Sequence, residues 1–556
     1  MAIWQSTLIL LISTLCISSS TLAHEPESSA SAQGHSRDTV PLYDNLGDLT
    51  YPILTANELA QRYFDQGLRL TYAFNHAEAR RAFHEAQRHD PACAMCYWGE
   101  AFVLGPNINA AMDDTATHPA VAAIRQAQEL APHASEREQA LIGALATRYT
   151  DDPDADRQAL NQAYAEAMAN AANRFPDDDE IAILYVDALM NLSPWDYWEA
   201  DGKTPKGKIA DAIQTAEKVL ARNPNHPGAI HLYIHLTEAS STPERAEGYA
   251  ERLAALMPGA GHIVHMPAHT FFRVGRYHDS AETNKAAVQA DERYLSRVDL
   301  RGIYAYGYYP HNIHFVLISA QMAGDGKTAL DYARRLDGKI PKQVAAQIGW
   351  IQAILPAPYF AHVQFSPPDT ILALPDPGDA FPFVKTMWHY ARGAAFAAKG
   401  DVERARKEAA QIAEINQRTG SQYPPDLAPV APDVLRLARH VVEGRMAQAQ
   451  NDLARAIKEF RVAIAIQDAL PYLEPPFWYY PVRQSLGAAL LAAGKAQEAE
   501  QVLEKSLTQL PKNGWALYGL MMAQRAQGKE RAAQETAMRF QQAWAGNPEA
   551  ITLNQL

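Results

Sequence analysis

Cysteine is nearly absent. The chain has 3 in 556 residues, so disulfides are excluded as the main source of stability, and a four-cysteine zinc site is excluded by count. A basic surplus is also missing. The formal net charge is −13, which leaves nothing to neutralise phosphates and excludes nucleic acid as an expected partner. Beyond residue 23 no apolar run is long enough to span a bilayer, so no membrane span is expected. The sequence holds no phosphate-binding glycine loop, no dinucleotide fingerprint, no nucleophile elbow and no His-Glu-x-x-His. With 47% apolar and 20% charged residues the chain still has the composition of a folded protein. At 556 residues it is too long for one core, so several domains or a repeat array is expected.

Residues 1–23 read as a secretory signal. Leu8-Ile9-Leu10-Leu11-Ile12 begins an apolar core, and Thr21-Leu22-Ala23 offers a small-residue cleavage site before His24. The segment ahead of the core carries no Lys or Arg. Cys16 follows Leu15, where a lipoprotein signal needs a small residue, so no lipid anchor is expected. The mature protein is expected to be periplasmic or secreted. Residues 24–50 read as a disordered, Ser-rich leader. Cys93 and Cys96, at the start of a helix after Pro91, would then form a local disulfide or a redox or metal pair. No histidine follows Cys96, so c-type haem attachment is not indicated.

An internal period organises what remains. Gly67, Ala79, Phe83, Ala86 and Pro91 stand 12, 4, 3 and 5 residues apart. The same register returns at Gly275, Gly324, Gly400, Gly494 and Gly528, and at Asn451 with the glycine replaced. Small residues at these places let two antiparallel helices approach closely and turn into one another. The pattern resembles the tetratricopeptide repeat family over most of residues 58–545, in its exported, histidine-bearing branch, distantly similar to the tetratricopeptide repeat protein 38 type. The resemblance implies an all-α superhelical solenoid of helix-turn-helix pairs that binds peptides or proteins in its groove. An N-terminal array over 51–365, a Pro-rich connector at 366–382 and a C-terminal array over 383–556 are expected. Insertions around Trp195 and from Tyr294 to Pro310 interrupt the period, as functional or lid-like loops often do. Late in the chain, Glu474-Pro475-Pro476-Phe477 opens a dense aromatic run that could close a groove or pack at a repeat junction.

Histidine follows the same period. Counted from helix starts at Pro227, Gly261 and Pro310, the second, fifth and ninth positions hold His231, His235, His262, His265, His269, His311 and His314. His231 and His265 stand 34 residues apart, as do His235 and His269. With 19 histidines in the chain, nine such positions should hold roughly 0.3 by composition; they hold seven. Spacings of three and four put them on one face of each helix. In the family this sequence resembles, those positions line the concave groove. Imidazoles so gathered suit a transition metal, Zn or Cu by nitrogen alone, Zn or Fe with a carboxylate. Seven are too many for one four-coordinate ion, leaving two metals, or one metal with histidines free for acid–base work. Candidate carboxylate partners are Asp187, at the ninth position of the preceding helix, and Glu238, three residues beyond His235. Three readings stay open: a metal-binding solenoid that is carrier or enzyme, a metal-free scaffold for a peptide or protein, and a metal-free enzyme using Tyr308 or Tyr309 as donors.

Overall fold

Short polar residues set the helix starts. Asn57 accepts from the N–H groups of Leu59 and Ala60 ahead of α1 (Glu58–Tyr72), and Asn75 caps α2 (His76–His89). The computed structural model describes residues 40–298, 301–419 and 423–556. The signal and most of the expected leader lie outside the described residues. Residues 41–556 form one unit, and no β-strand occurs among the described residues.

Helices pair in sequence: α3 (Ala94–Leu104) with α4 (Thr117–Leu130), α5 (Glu136–Ala146) with α6 (Arg157–Arg174), α7 (Asp179–Met190) with α8 (Ile209–Arg222), and α9 (Pro227–Glu238) with α10 (Glu247–Leu256). The next pair sets α11 (Gly261–His265) and α12 (Pro267–Arg273) against α13 (Tyr277–Leu295), and α14 (Tyr309–Ala323) follows. Four regular pairs follow from Pro382 to Ala543. Each pair leaves an apolar face that the next one covers. This is the all-α tetratricopeptide-type solenoid expected from the period.

The small-residue rule is visible at Phe83. Its ring fills the space between two glycines: a Cβ on Gly67 of α1 or Gly99 of α3 would stand 2.6 or 2.4 Å from it. Gly324 ends α14 at φ +79°, the left-handed turn for which the period selects glycine. Asn451 holds the equivalent turn at φ 57°, and in the first repeat Phe74 holds it at φ 53°. For a phenylalanine that conformation is strained.

Several boundaries differ from the sequence reading. Residues 41–50, expected as the end of the leader, lie along α1: Arg69 donates to the carbonyls of Gly47 (2.7 Å) and Leu49 (2.9 Å), and the Tyr43 N–H donates to Gln66 (2.8 Å). The helix expected to run on from Gly261 is broken at Met266, because Pro267 has no N–H to continue it. The connector at 366–382 contains a short helix, Pro368–Leu372. Cys93 and Cys96 are disulfide-bonded at the start of α3.

The late repeats pack back on the early ones. The Trp515 indole donates to the Gln321 carbonyl (3.0 Å), and the Ala545 N–H donates to the Ala323 carbonyl (2.8 Å). The loop entering the helix Val482–Ala492 is thereby carried to the α9–α14 face.

Gly99→Val should force the Phe83 ring out of its slot and cost about 1–3 kcal/mol. A denaturation midpoint equal to that of the parent chain would refute this packing account.

Candidate metal centre

All seven sequence-selected histidines are buried. Six of them form two trios. His231 and His235 of α9 meet His262 of α11, and His265 and His269, across the α11–α12 break, meet His311 of α14; within each trio one ligand nitrogen per residue lies within 4.8 Å of the others. The trios adjoin one another, with ring centres 5.5 Å apart at His235–His269 and 5.7 Å at His262–His265.

Hydrogen bonds on the outer edges of the rings decide which nitrogens face inward. His231 Nδ1 lies 2.6 Å from the Tyr72 carbonyl, which can only accept. His235 and His269 direct Nδ1 at the two oxygens of one carboxylate, Glu238, at 2.7 and 2.5 Å. His265 Nδ1 lies 2.6 Å from Asn284 Oδ1, and that amide is oriented by its own donation to the Ser280 carbonyl (2.8 Å). Four imidazoles therefore carry their proton on Nδ1 and point Nε2 at the interior.

The inward nitrogens converge. His231 and His262 Nε2 are 3.2 Å apart, His265 and His311 Nε2 3.1 Å, and His265 and His269 Nε2 2.7 Å. Ligand nitrogens of a tetrahedral ion with bonds of 2.0–2.1 Å stand roughly 3.3 Å apart. Without an ion each close contact needs a proton: His262 supplies it in the first trio, and in the second His269 and His311 each direct an Nε2–H at His265 Nε2.

Electrostatics follow the geometry. Burial, reinforced by the neighbouring imidazoles, holds His231, His262, His265 and His311 well below the ordinary imidazole range, so all four are neutral at pH 7. Burial also lowers His235 against the pull of Glu238. His269 is the exception: burial lowers it, but the charge and hydrogen bond of Glu238 outweigh burial and raise it. Burial alone would raise Glu238; His269 and His235 together hold it below the carboxylate range.

Two sequence candidates fall outside the trios. His314 shares α14 with His311, but its ring is directed toward Tyr479 (5.8 Å between centres) and not into the trio, and neither of its nitrogens has a protein partner. Burial drops its pKa to about 3. Asp187 is buried and pushed up to about 6 by burial against the pull of Arg148. It takes no part in either trio, whereas Glu238 takes part in both.

A cavity of about 930 Å³ opens above the histidines, and His235, His262, His269, His311 and His314 reach its surface. Trp195, in the insertion after α7, sets its ring 5.2 Å from His235, and Tyr308 sets its ring 4.7 Å from His262. Tyr309 instead turns away and donates to Glu292 (2.9 Å). From the far end of the chain, Tyr472 donates to Glu474 (2.8 Å) and lies 3.4 Å from Glu238. Phe74 packs its ring 4.5 Å from His231 and 5.3 Å from His262. Phe74 and Trp195 are both non-glycine residues at positive φ, and both press on the first trio.

Tyr72, Phe74, Asn284 and Tyr472 were not singled out from sequence as site residues. Only Phe74 carried a signal, as a bulky residue at a turn where the period wants glycine. A third cluster, His440, Glu443 and Glu459, is half-buried in the late repeats. His440 donates to Glu459 (2.8 Å) while Arg439 pairs with Glu443 (3.6 Å), which describes a solvated ion-pair network.

Fold and site together define an all-α repeat solenoid with a histidine-lined chamber. Comparison with protein families matches the tetratricopeptide repeat family over residues 490–553. Comparison with curated proteins finds no match. Among solved structures, human IFIT1 dimer with m7Gppp-AAAA is 14% identical, covering 81% of this chain and 90% of that one at a TM-score of 0.34. Yeast Tom70 is 13% identical, covering 87% and 94% at 0.25. The P58(IPK) TPR domain is 12% identical, covering 85% and 99% at 0.20. Likeness at this level carries no inference about ligand. Solenoids of this type present concave surfaces suited to peptide or protein partners. No helix among the described residues is long and apolar enough to cross a membrane.

The outer hydrogen bonds make a direct prediction. In metal-free protein with ¹⁵N-labelled histidine, His231, His235 and His265 should give Nδ1–H tautomer signals in long-range ¹H–¹⁵N spectra. Glu238→Gln, which offers one acceptor and one donor, should force His235 or His269 to change. An Nε2–H tautomer at His231 or His265 in the parent protein would refute the assignment.

Proposed function

We propose that this protein holds two transition-metal ions, one in His231–His235–His262 and one in His265–His269–His311, and that it is a metalloenzyme. The observation that carries the reading is the inward convergence of Nε2 atoms, with four of the six rings pinned from outside. Three protein ligands per ion, with a cavity above them, is the arrangement of catalytic sites that keep a coordination position open. Among Cu, Zn and Fe, three neutral imidazoles suit Cu or Zn. The usual iron set needs a carboxylate among the ligands, and both oxygens of Glu238 are engaged on the outer ring edges. Such an ion would act as a Lewis acid toward a bound water or oxygen donor. The chain's own residues position the rings: Glu238 through two of them, Tyr72 and Asn284 through one each. The grouping with an exported, histidine-bearing branch of the repeat family rests on these same positions.

Elemental mass spectrometry on protein purified without a His-tag should find close to two Cu or Zn ions per chain. His231→Ala should remove one, His265→Ala the other, and Glu238→Ala should weaken retention of both by about 10–100-fold. Absence of metal after reloading with each ion would sink the proposal, and the cavity would then stand as a metal-free site for an organic or peptide ligand.

We further propose that the protein is exported, on the strength of the apolar core at Leu8–Ile12 and the Thr21-Leu22-Ala23 site. N-terminal sequencing of protein from a cell-envelope or culture fraction should begin at His24. Recovery of the intact chain from the cytoplasm alone would count against export.

A further inference from the structure

We infer that the chamber binds a small planar aromatic molecule bearing an anionic oxygen donor, such as a phenolate, with that oxygen on the metal and the ring against an aromatic wall. The inference rests on the metal reading above and specifies what the metals would act on.

Three observations support it. The first is size: about 930 Å³ is the scale of a cavity for a drug-sized organic ligand. The second is the wall. Trp195, Tyr308, Trp350, Phe360, Phe477 and Tyr479 all line the chamber. Tyr308 and Trp350 stand 6.2 Å apart between ring centres, tilted by 35°, with Tyr308 on His262 and Trp350 6.3 Å from His311. Such faces favour another ring by stacking and offer few hydrogen bonds to a sugar or an extended peptide. The polar lining is distributed: Asn107, Arg157 and Asn161 on one side, Gln347 and Asp426 on another, and Glu474 from the late loop.

The third observation is charge. With their Nε2 protons displaced by metal, the trios would supply neutral nitrogens only, and the one carboxylate bonded to the rings, Glu238, serves both. Two divalent ions would bring four positive charges into a space where Glu474 and Asp426 are the carboxylates of the lining, too few to balance them even with Glu238. An anionic oxygen on the open position offsets that charge, and a neutral ligand does not.

The test compares two probes that share a head group and differ only in the ring: benzohydroxamate and acetohydroxamate, titrated by calorimetry into full-length, metal-loaded protein. Benzohydroxamate should bind at least about tenfold tighter. Trp350→Ala should keep its metal and lose most of that preference, and Trp350→Phe should restore it. Elemental analysis of the same samples before and after titration separates the outcomes. Protein that never takes up metal fails the metal reading itself. Retained metal with equal affinities, with no binding of either probe, or with a preference that survives Trp350→Ala overturns this inference alone. Metal stripped by the probe overturns it too, since the ligand is then not held in the chamber.

Discussion

The arrangement of the imidazoles depends on one buried carboxylate. Glu238 sits at the end of α9 and accepts from His235 on its own helix and from His269 on α12, so it ties the inner helices of two successive repeats together. A charge at 1% exposure needs partners, and here the partners are the rings themselves. Its backbone carbonyl is held as well, by Arg273 at 2.8 Å, and the same guanidinium lies over the Tyr472 ring. Once both Nδ1 positions are committed to Glu238, neither ring can turn without leaving a buried acceptor short. The inward Nε2 atoms are thus fixed by what happens behind the rings.

The repeat register made the fold and most of this site readable from sequence. The helix starts inferred at Pro227, Gly261 and Pro310 fall at or within one residue of observed ones, and the 34-residue spacing put His231 and His265 on matching faces of neighbouring inner helices, with His262 between them. Six of the seven candidates gather in the trios for that reason. Register does not specify side-chain direction, so it could not separate His311 from His314 on one helix. Nor could it find Asn284, which lies on the partner helix α13, or the carbonyl of Tyr72, which has no residue signature at all. The contribution of Tyr472 was invisible for another reason. It depends on the late repeats folding back across more than two hundred residues of chain, and a local period says nothing about that return.

The same return distinguishes this molecule from an open groove. An extended peptide needs a continuous concave surface, but here the insertion carrying Trp195 and the loop carrying Tyr472 and Glu474 both reach the inner face. Phe74 takes up the left-handed conformation that other repeats give to glycine or asparagine at the same turn, and Trp195, within the insertion, takes it up as well. Either residue could be replaced by one better suited to that turn, at a gain in local stability on the order of 1 kcal/mol. What the large rings supply is a dry edge for His231, His235 and His262. Local cost accepted for placement of a ring against imidazoles is easier to reconcile with a site than with a scaffold.

Polar atoms left without partners point the same way. A structural seam of buried histidines would be expected to close its hydrogen bonds, since each unmet buried group costs about 1–3 kcal/mol. Behind the rings that closure is achieved by Tyr72, Asn284 and Glu238. Toward the chamber, and at the edge of the His262 ring away from His231, it is not. His235 Nε2, His262 Nδ1, both nitrogens of His314 and Glu474 Oε2 lack a protein partner, and all four residues line the chamber. Burial moves these groups in opposite directions, His314 down to about 3 and Glu474 up to about 7, so His314 is neutral at pH 7 and Glu474 divides between its two forms. Unpartnered buried atoms occur elsewhere in the interior too, at Tyr164 and Thr386 for example; what sets this chamber apart is that several of them gather on one surface.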